Sequence, residues 1–492
     1  MSIEWGLLYL QEAFAENLKS VAAKMSERPY QEVAMQHAYK NGRCVVDGKP
    51  GSGKTLVVLT AALKQKPKRI LIMCSKNALW TWNKEIQKWY PEFAKYYKIN
   101  KGTPGVRQTI WSADPTIVAC TYSVGQKDLE WILKSHSRHP FDVLIMDEYQ
   151  KAGLLSWKGQ GKDKNGKSKT TLGYRTIDAL KSIRSIYPTS GTTAKKGPQH
   201  LWPMLNLLNR KLYPSYWQFV NRFCVVVDGP FGKEIVGPQN TLALKAMIAS
   251  NYHRIPRSET DKYLPPVNRQ VIPIDMTSQQ AKLYKQIDDE MWHFKSGGEG
   301  ISMVSTVLAK ITKLRQLLVS PRLINPEADE IGAIAETILD MVKERDDHHC
   351  VIFTPFRPAV LLFEAYFKAE LKTDNVFHVW GGTEPDELRE LEKKWKATKG
   401  LMIATTLFAQ SYELDTSDCC FFAGYECEHT DNEQCEGRLR RITNPRPINA
   451  YYLQHRNTYD ERWLEILIEK KQSVKLTFQN MEEAKKALKS NG

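Results

Sequence analysis

The sequence predicts an α/β chain of two tandem lobes, each a parallel sheet flanked by helices, with helical insertions. Three observations carry that prediction. Short apolar runs alternate with helical patterns in both halves of the chain, which is how parallel strands and their covering helices read. A glycine-rich stretch, Gly48-Lys49-Pro50-Gly51-Ser52-Gly53-Lys54-Thr55, lies between the apolar runs Cys44-Val45-Val46 and Leu56-Val57-Val58-Leu59. The apolar run from Phe141 to Met146 ends in two adjacent acids, Asp147 and Glu148, where a buried parallel strand meets a functional edge.

Taken in order, residues 1–27 have helical apolar spacing and form an N-terminal helix. Glu4, Glu12 and Glu16 set it apart from a secretion signal or a transit peptide. The first lobe spans 28–265, with strands at Cys44–Val46, Arg69–Cys74, Thr116–Cys120 and Asp142–Met146 and a helix at Leu79–Trp89. Between Gly153 and Thr171 apolar periodicity gives way to glycine and lysine, which predicts a mobile loop whose lysines are within reach of a phosphate backbone. From about 197 to 265 the text turns helical and aromatic, as in Leu201–Leu205 and Tyr216–Phe219, and reads as a helical insertion packed on the first sheet.

Tyr263-Leu264-Pro265-Pro266 interrupts all periodicity and marks the boundary between lobes. The second lobe, 266–472, opens with a helical segment at about 278–330. Strands follow at Cys350–Phe353, Val376–Val379, Leu401–Ala404 and Cys419–Phe422. Residues 473–492 form a helical tail. Two parallel sheets with a nucleotide site at their junction is the economical picture.

A chain of 492 residues has room for two core-forming domains. Its net charge of +15 favours a polyanionic partner, with nucleic acid ahead of a membrane surface. No run approaches the roughly 20 apolar residues of a spanning helix, so no membrane partner is expected. The 9 cysteines are scattered, odd in number and without a CxxC pair, which suggests a reducing compartment and buried thiols. Cys427, His429 and Cys435 lack a fourth ligand at a sensible spacing for zinc.

The glycine-rich stretch has the strand, loop and helix context of a phosphate-binding loop. Its backbone can wrap a phosphate chain, with Gly48 and Pro50 in the first bend and the N–H groups of the loop pointing at the phosphates. Gly51 and Gly53 permit the tight turn around Ser52, Lys54 reaches the terminal phosphates, and the Thr55 hydroxyl is placed to ligate Mg2+. Asp147 supplies the second metal contact through water, and Glu148 orients or deprotonates the attacking water. Phosphoryl transfer then needs positive charge from outside the loop, for which Arg438 and Arg441 are the candidates. Their spacing of three puts both on one helical face.

In this order the motifs resemble superfamily-two helicases, and more narrowly the Swi/Snf-type ATPases that translocate on duplex DNA, across roughly residues 26–472. The resemblance implies two RecA-like lobes using ATP and Mg2+. Arg28-Pro29-Tyr30-Gln31 is similar to the family's adenine-reading segment, so Arg28 and Tyr30 join Gln31, whose amide reads the base edge. Ser75-Lys76-Asn77, running into Trp80 and Trp82, resembles motif Ia, and Thr121-Tyr122 the next strand-end motif. With Thr354 these are the expected nucleic-acid contacts. Ser190-Gly191-Thr192-Thr193 resembles motif III, and the string from Gln434 to Arg441 the closing motif, giving Gln434 a catalytic place beside its arginines.

Two departures from the family pattern stand out. Gln150 replaces the histidine that couples nucleotide to motif III. Phe408, Ala409 and Glu413 replace the residues of motif V, with Glu413 assigned to the ribose. The compact size resembles that of bacteriophage and mobile-element motors, which implies the cytoplasm of a bacterial or phage-infected cell.

The implied function is a DNA-stimulated ATPase translocating on duplex DNA without sequence preference. A strand-separating or branch-migration helicase, on branched DNA and with replication or recombination proteins as partners, is the rival within the class. An ATP-gated scaffold with little turnover is the rival outside it.

Overall fold

Every residue of the strand Ile70–Cys74 is buried, and its side chains alternate between two apolar layers. Leu71 and Met73 join one layer, and Ile70, Ile72 and Cys74 the other. A strand covered on both faces needs no polar alternation, so it reads as a continuous apolar run. The same division recurs in Val143–Met146, where Leu144 and Met146 oppose Val143 and Ile145. The computed structural model describes residues 17, 19–154, 158–162, 168–191, 197–229, 232–295, 301–406, 414–426 and 429–461. The chain divides into two units between Lys262 and Tyr263.

The first unit contains β1 (Val45–Asp47), β2 (Ile70–Cys74), β3 (Tyr97–Ile99), β4 (Ile117–Thr121), β5 (Val143–Met146), β8 (Ser185–Ser190) and β11 (Tyr252–Arg254) in one sheet. The sheet has 7 strands in the order β11-β1-β8-β5-β2-β4-β3. All its pairings are parallel. All C-terminal strand ends therefore share one edge, the usual place for ligands in such sheets.

In the second unit β12 (Val267–Ile274), β13 (Val351–Thr354), β14 (Val376–Val379), β15 (Leu401–Thr405), β16 (Cys419–Phe422) and β17 (Ile448–His455) form a 6-stranded sheet in the order β12-β17-β16-β13-β15-β14. Its pairings are parallel throughout. Ile352, Leu401 and Ile403 enter one core layer, and Val351, Phe353 and Met402 the other. Helices Ser278–Lys295 and Ile301–Val319 occupy the segment expected to be helical. The α/β class with two parallel, helix-flanked sheets is thus present.

Several elements differ from the sequence reading. The stretch expected as a loop after Gly153 contains an antiparallel ribbon, β6 (Lys158–Lys162) against β7 (Ser168–Thr170). Backbone pairing makes such a ribbon without any apolar periodicity for a sequence reading to detect. The segment expected to be a helical insertion holds the helices Trp202–Leu208 and Tyr216–Phe223 but also a hairpin, β9 (Cys224–Gly229) with β10 (Gly232–Pro238). β-branched Val225, Val226 and Val227 favour extended backbone there. β11, from the same segment, joins the main sheet as an edge strand beside β1. The N-terminal helix up to residue 16, the 473–492 tail, Glu413, Phe408 and Ala409 lie outside the described residues.

Candidate functional site

The C-terminal edge of the first sheet gathers the phosphate loop after β1, the segment Ser75–Asn77 after β2, Thr121 at the end of β4, the acids after β5, and Ser190-Gly191 at the end of β8. Gly48 N–H donates to the Ser190 carbonyl at 2.9 Å, which ties the loop to β8. The helix Lys54–Lys64 starts at Gly53, which is left-handed at φ +78°, and Gly51 has φ +82°. L-residues with side chains avoid that region, so both glycines are required by the turn. A Cβ on Gly53 would lie 2.2 Å from Gln31 Nε2, and one on Gly48 2.7 Å from Ser52 Oγ.

Gln31 belongs to the helix Pro29–Asn41, which begins after Arg28. Its amide donates to the Ser52 carbonyl at 3.3 Å, so Gln31 touches the phosphate loop itself. Tyr30 beside it is buried. Gln31 Oε1 and Ser52 Oγ are buried with no protein hydrogen-bond partner. Lys54 Nζ donates to the Gly48 and Lys49 carbonyls at 2.5 and 3.4 Å.

Asp147 is held from three directions. The Thr189 hydroxyl donates to Oδ1 at 2.8 Å, the Trp82 indole N–H to Oδ2 at 3.2 Å, and the Tyr122 hydroxyl to the main-chain carbonyl at 2.8 Å. Burial, then the neighbouring Glu148 charge, push the Asp147 carboxyl above its ordinary value, against the pull of Thr189, Lys54 and Trp82.

Glu148 sits in the left-handed region at φ +50°, a conformation that strains a residue with a side chain and is tolerated at sites where function requires it. Its Oε2 accepts from Gln150 Nε2 at 2.5 Å and faces Ser190 Oγ and Gly191 N–H at 3.5 Å each. Burial raises its proton affinity, but Lys54, Gln150, Lys151 and the Gly191 N–H outweigh it and hold the carboxyl below the ordinary range. The two adjacent acids are thus pushed in opposite directions, Asp147 toward holding a proton and Glu148 toward staying ionised, a pattern typical of catalytic pairs.

Gln150, expected to replace the histidine that couples nucleotide to motif III, reaches Ser190 and Gly191 through Glu148 among the described residues. It donates to Glu148, which in turn meets both. Thr192 and Thr193 lie outside the described residues.

Ser75, Asn77 and Thr121 are partly exposed and Lys76 is exposed at the strand ends. Tyr122 and Thr354, also expected on nucleic acid, are buried. Tyr122 points inward to Asp147, and the Thr354 hydroxyl accepts from the Phe356 N–H at 3.4 Å. Sequence reading missed both Thr189 and Trp82 as partners of Asp147. The two lie 42 and 65 residues from the acid they hold, with no local signal to join them.

In the second unit the closing motif lies on the helix His429–Leu439, with Gln434 buried and Arg438 in the last turn. The expected shared helical face for Arg438 and Arg441 is not formed, because the helix ends at Leu439. Asn444 Nδ2 caps the Leu439 carbonyl at 3.2 Å, while Arg440 Nε turns away to the Pro265 carbonyl at 2.6 Å. Arg441 follows beyond the helix, its N–H on the same Leu439 carbonyl at 2.9 Å. The Arg438 carbonyl accepts from Leu414 N–H at 3.1 Å. Glu436 is fixed by Arg269 and by the Tyr452 hydroxyl at 2.8 Å. Cys435, weighed above for zinc, is fully buried with Sγ on the Thr406 carbonyl at 3.3 Å.

The first-unit residues fit a triphosphate and its magnesium. Gly51 and Gly53 leave room for backbone approach, buried Ser52 Oγ and Gln31 Oε1 lack protein partners, and Lys54 lies beside a hydroxyl and two acids of the right chemistry. Thr55 and Asp147 would hold the metal, which supplies Lewis-acid charge on the phosphate oxygens when bound.

Comparison with known proteins matches residues 31–323 to the SNF2-related domain. The chain is similar to a human DNA annealing helicase and endonuclease, ZRANB3, at 22% identity over 88% of this chain and 38% of the relative. It is similar to the fission-yeast (Schizosaccharomyces pombe) SWI/SNF chromatin-remodeling complex subunit snf22 at 21% identity, over 84% of this chain and 25% of that protein. The chain therefore spans well under half the length of these curated relatives. A solved Sulfolobus solfataricus SWI2/SNF2 ATPase core in complex with dsDNA is similar at 18% identity, with a TM-score of 0.41 and 90% of each chain covered.

Proposed function

Because the chain belongs to the SNF2-related family of superfamily-two ATPases, we propose that it is a DNA-stimulated ATP hydrolase that translocates on duplex DNA. The observation that carries this reading is Glu148. Its carboxylate is kept ionised beside Lys54 and is hydrogen-bonded into the segment that ends β8, so the group placed to activate water is also wired to a second strand end. Hydrolysis needs such a base and a loop to hold the phosphates. Coupling hydrolysis to movement needs that base to respond to its neighbours.

In the proposed cycle the phosphate loop and Lys54 hold ATP, and Glu148 takes the proton from the attacking water. Asp147 and Thr55 would hold magnesium, and Arg438 and Arg441 are the residues that would supply guanidinium charge to the transferring phosphoryl group. The polymer runs over the exposed segment Ser75–Asn77 and over Thr121, held mainly by phosphate contacts, so binding is sequence-tolerant and salt-dependent. The net charge of +15 supports a polyanionic track.

A second reading is remodelling of branched DNA. It is favoured by the likeness to an annealing helicase and by two β-ribbons, β6–β7 and β9–β10, that stand outside the parallel sheet of the first unit.

Phosphate release without polymer and with duplex, single-stranded and forked DNA or RNA tests both, with Lys54→Ala as the control. Strong stimulation by plain duplex, absent in the control, supports translocation. Preference for the fork supports remodelling. A wild-type rate indifferent to every polymer overturns the motor.

A further inference from the structure

Asp147 is reached by an aromatic donor from each of the two segments assigned to the polymer. The helix Ala78–Trp89 starts directly after Ser75–Asn77, and one turn into it Trp82, 1% exposed, turns its indole N–H onto Asp147 Oδ2 at 3.2 Å. The helix Tyr122–Lys127 starts directly after Thr121, whose hydroxyl caps it by accepting from Val124 N–H at 3.2 Å. Its first residue, Tyr122, 6% exposed, turns its hydroxyl onto the Asp147 carbonyl at 2.8 Å. Each short helix therefore has one end at the exposed sheet edge and one donor on the metal's acid. Cys74 and Thr121 are register partners of β2 and β4, so the two helix starts are neighbours.

We propose that Trp82 and Tyr122 are positioning residues that carry polymer contact at Ser75–Asn77 and Thr121 to Asp147, so that nucleic acid speeds hydrolysis by setting this carboxylate. The inference rests on the motor reading above. An indole N–H can only donate, and a tyrosine hydroxyl facing a carbonyl also donates, so neither contact can invert when a cation arrives. A shift of the Trp82 helix start then moves or frees the carboxylate itself, and a shift of the Tyr122 helix start moves the main chain that carries it. Thr189 on Oδ1 stays anchored in β8 and gives the movement a fixed pivot.

The experiment uses the full chain and the variants Trp82→Phe and Tyr122→Phe, which remove one donor each and keep the ring. Trp89→Phe is the control on the same helix, since its indole serves Glu85 at 2.9 Å instead. Phosphate release is measured against Mg2+ concentration with and without saturating duplex DNA. Affinity for labelled duplex and the melting temperature are measured alongside. Losing a hydrogen bond to a charged group lowers the ratio of stimulated to unstimulated rate about tenfold in Trp82→Phe. The Mg2+ concentration for half-activation rises in the same variant, while duplex affinity stays at the wild-type value. Tyr122→Phe loses less of the ratio, and Trp89→Phe none.

A wild-type ratio in both folded variants, with the parent clearly stimulated, overturns the relay and leaves the motor standing. A parent with no stimulation overturns the motor and the relay together. If Trp82→Phe melts far below the parent, Tyr122→Phe alone decides, because it removes only an oxygen.

Discussion

Arg269, at the start of β12, grips Glu436 with both arms of its guanidinium, Nε to Oε1 at 2.7 Å and Nη2 to Oε2 at 2.6 Å. Glu436 lies between Gln434 and Arg438 of the closing motif, and its side chain is 3% exposed. The pair thus fixes the helix that carries Arg438 to the first strand of its own sheet. The Tyr452 hydroxyl satisfies Glu436 Oε1 as well, and β12 runs beside β17, which carries that tyrosine.

Removing Arg269 leaves a buried carboxylate with one neutral donor. Arg269→Ala is expected to destabilise the second unit by about 3 kcal/mol, since breaking a buried pair costs more than the pair contributes. Arg269→Lys should recover little, because an ammonium cannot serve both oxygens at once. Adding Glu436→Gln to Arg269→Ala should restore part of the loss by removing the stranded charge. Denaturant unfolding of the parent, Arg269→Ala, Glu436→Gln and the double variant forms a double-mutant cycle. Additive effects would show that Arg269 and Glu436 do not act as a pair.

Gly53→Ala is expected to weaken ATP binding by at least about tenfold, through left-handed strain and a clash at the phosphate loop. The clash is with Gln31 Nε2, 2.2 Å from the built Cβ. Because Gln31→Ala itself removes an amide expected on the base, the loss from Gly53→Ala is measured again in a Gln31→Ala background, where the part due to the clash should vanish and the part due to φ remain. Titration with a fluorescent ATP analogue separates the two. If Gly53→Ala costs as much in the Gln31→Ala background as in the parent, the contact between Gln31 and Gly53 has no part in the loss.

Much of this architecture was readable in advance because the controlling signals are local. A continuous apolar run such as Ile70–Cys74 can only be a strand covered on both faces, and the glycines flanking Ser52 announce their own turn. What was not readable depends on distant partners. The end of the closing helix at Leu439 is set by Asn444 and by Arg440 reaching a carbonyl 175 residues earlier. Tyr122 looks like an outward strand-end residue until the Asp147 carbonyl, 25 residues on, is placed against it. β11 is a run of three residues, too short for any period, and is a strand only because Val45–Asp47 pairs with it.

Glu148→Gln should bind ATP with little change and lose hydrolysis by a factor of roughly 10²–10⁴, the usual contribution of a positioned base. Gln150→Ala removes the donor at 2.5 Å that helps keep Glu148 ionised. Its expected effect is smaller, about tenfold in rate, because Lys54 remains. Single-turnover hydrolysis at saturating ATP measures both. Equal losses in the two variants would place Gln150 on the reacting water itself rather than behind Glu148.

The opposite shifts of the two acids predict an acid limb that belongs to Asp147. Its folded value lies above the ordinary 3.8, whereas that of Glu148 lies below 4.5. As pH falls, burial and the Glu148 charge favour the protonated form of Asp147, which releases magnesium, while Lys54, Gln150 and the Gly191 N–H favour the ionised form of Glu148. Metal and proton compete for the same carboxylate, so tenfold more Mg2+ should move the limb to lower pH by up to about one unit. The stability signs are opposite for the two groups. Ionised Asp147 costs stability above its ordinary value, and that cost disappears as pH falls through its raised folded value. Glu148 contributes stability at neutral pH and loses it only as pH falls through its depressed value. Hydrolysis should accordingly fail on acidification before the fold does, and rate and circular dichroism followed across the same pH series check this. A limb that ignores Mg2+, or one that coincides with unfolding, would remove Asp147 as the titrating metal ligand.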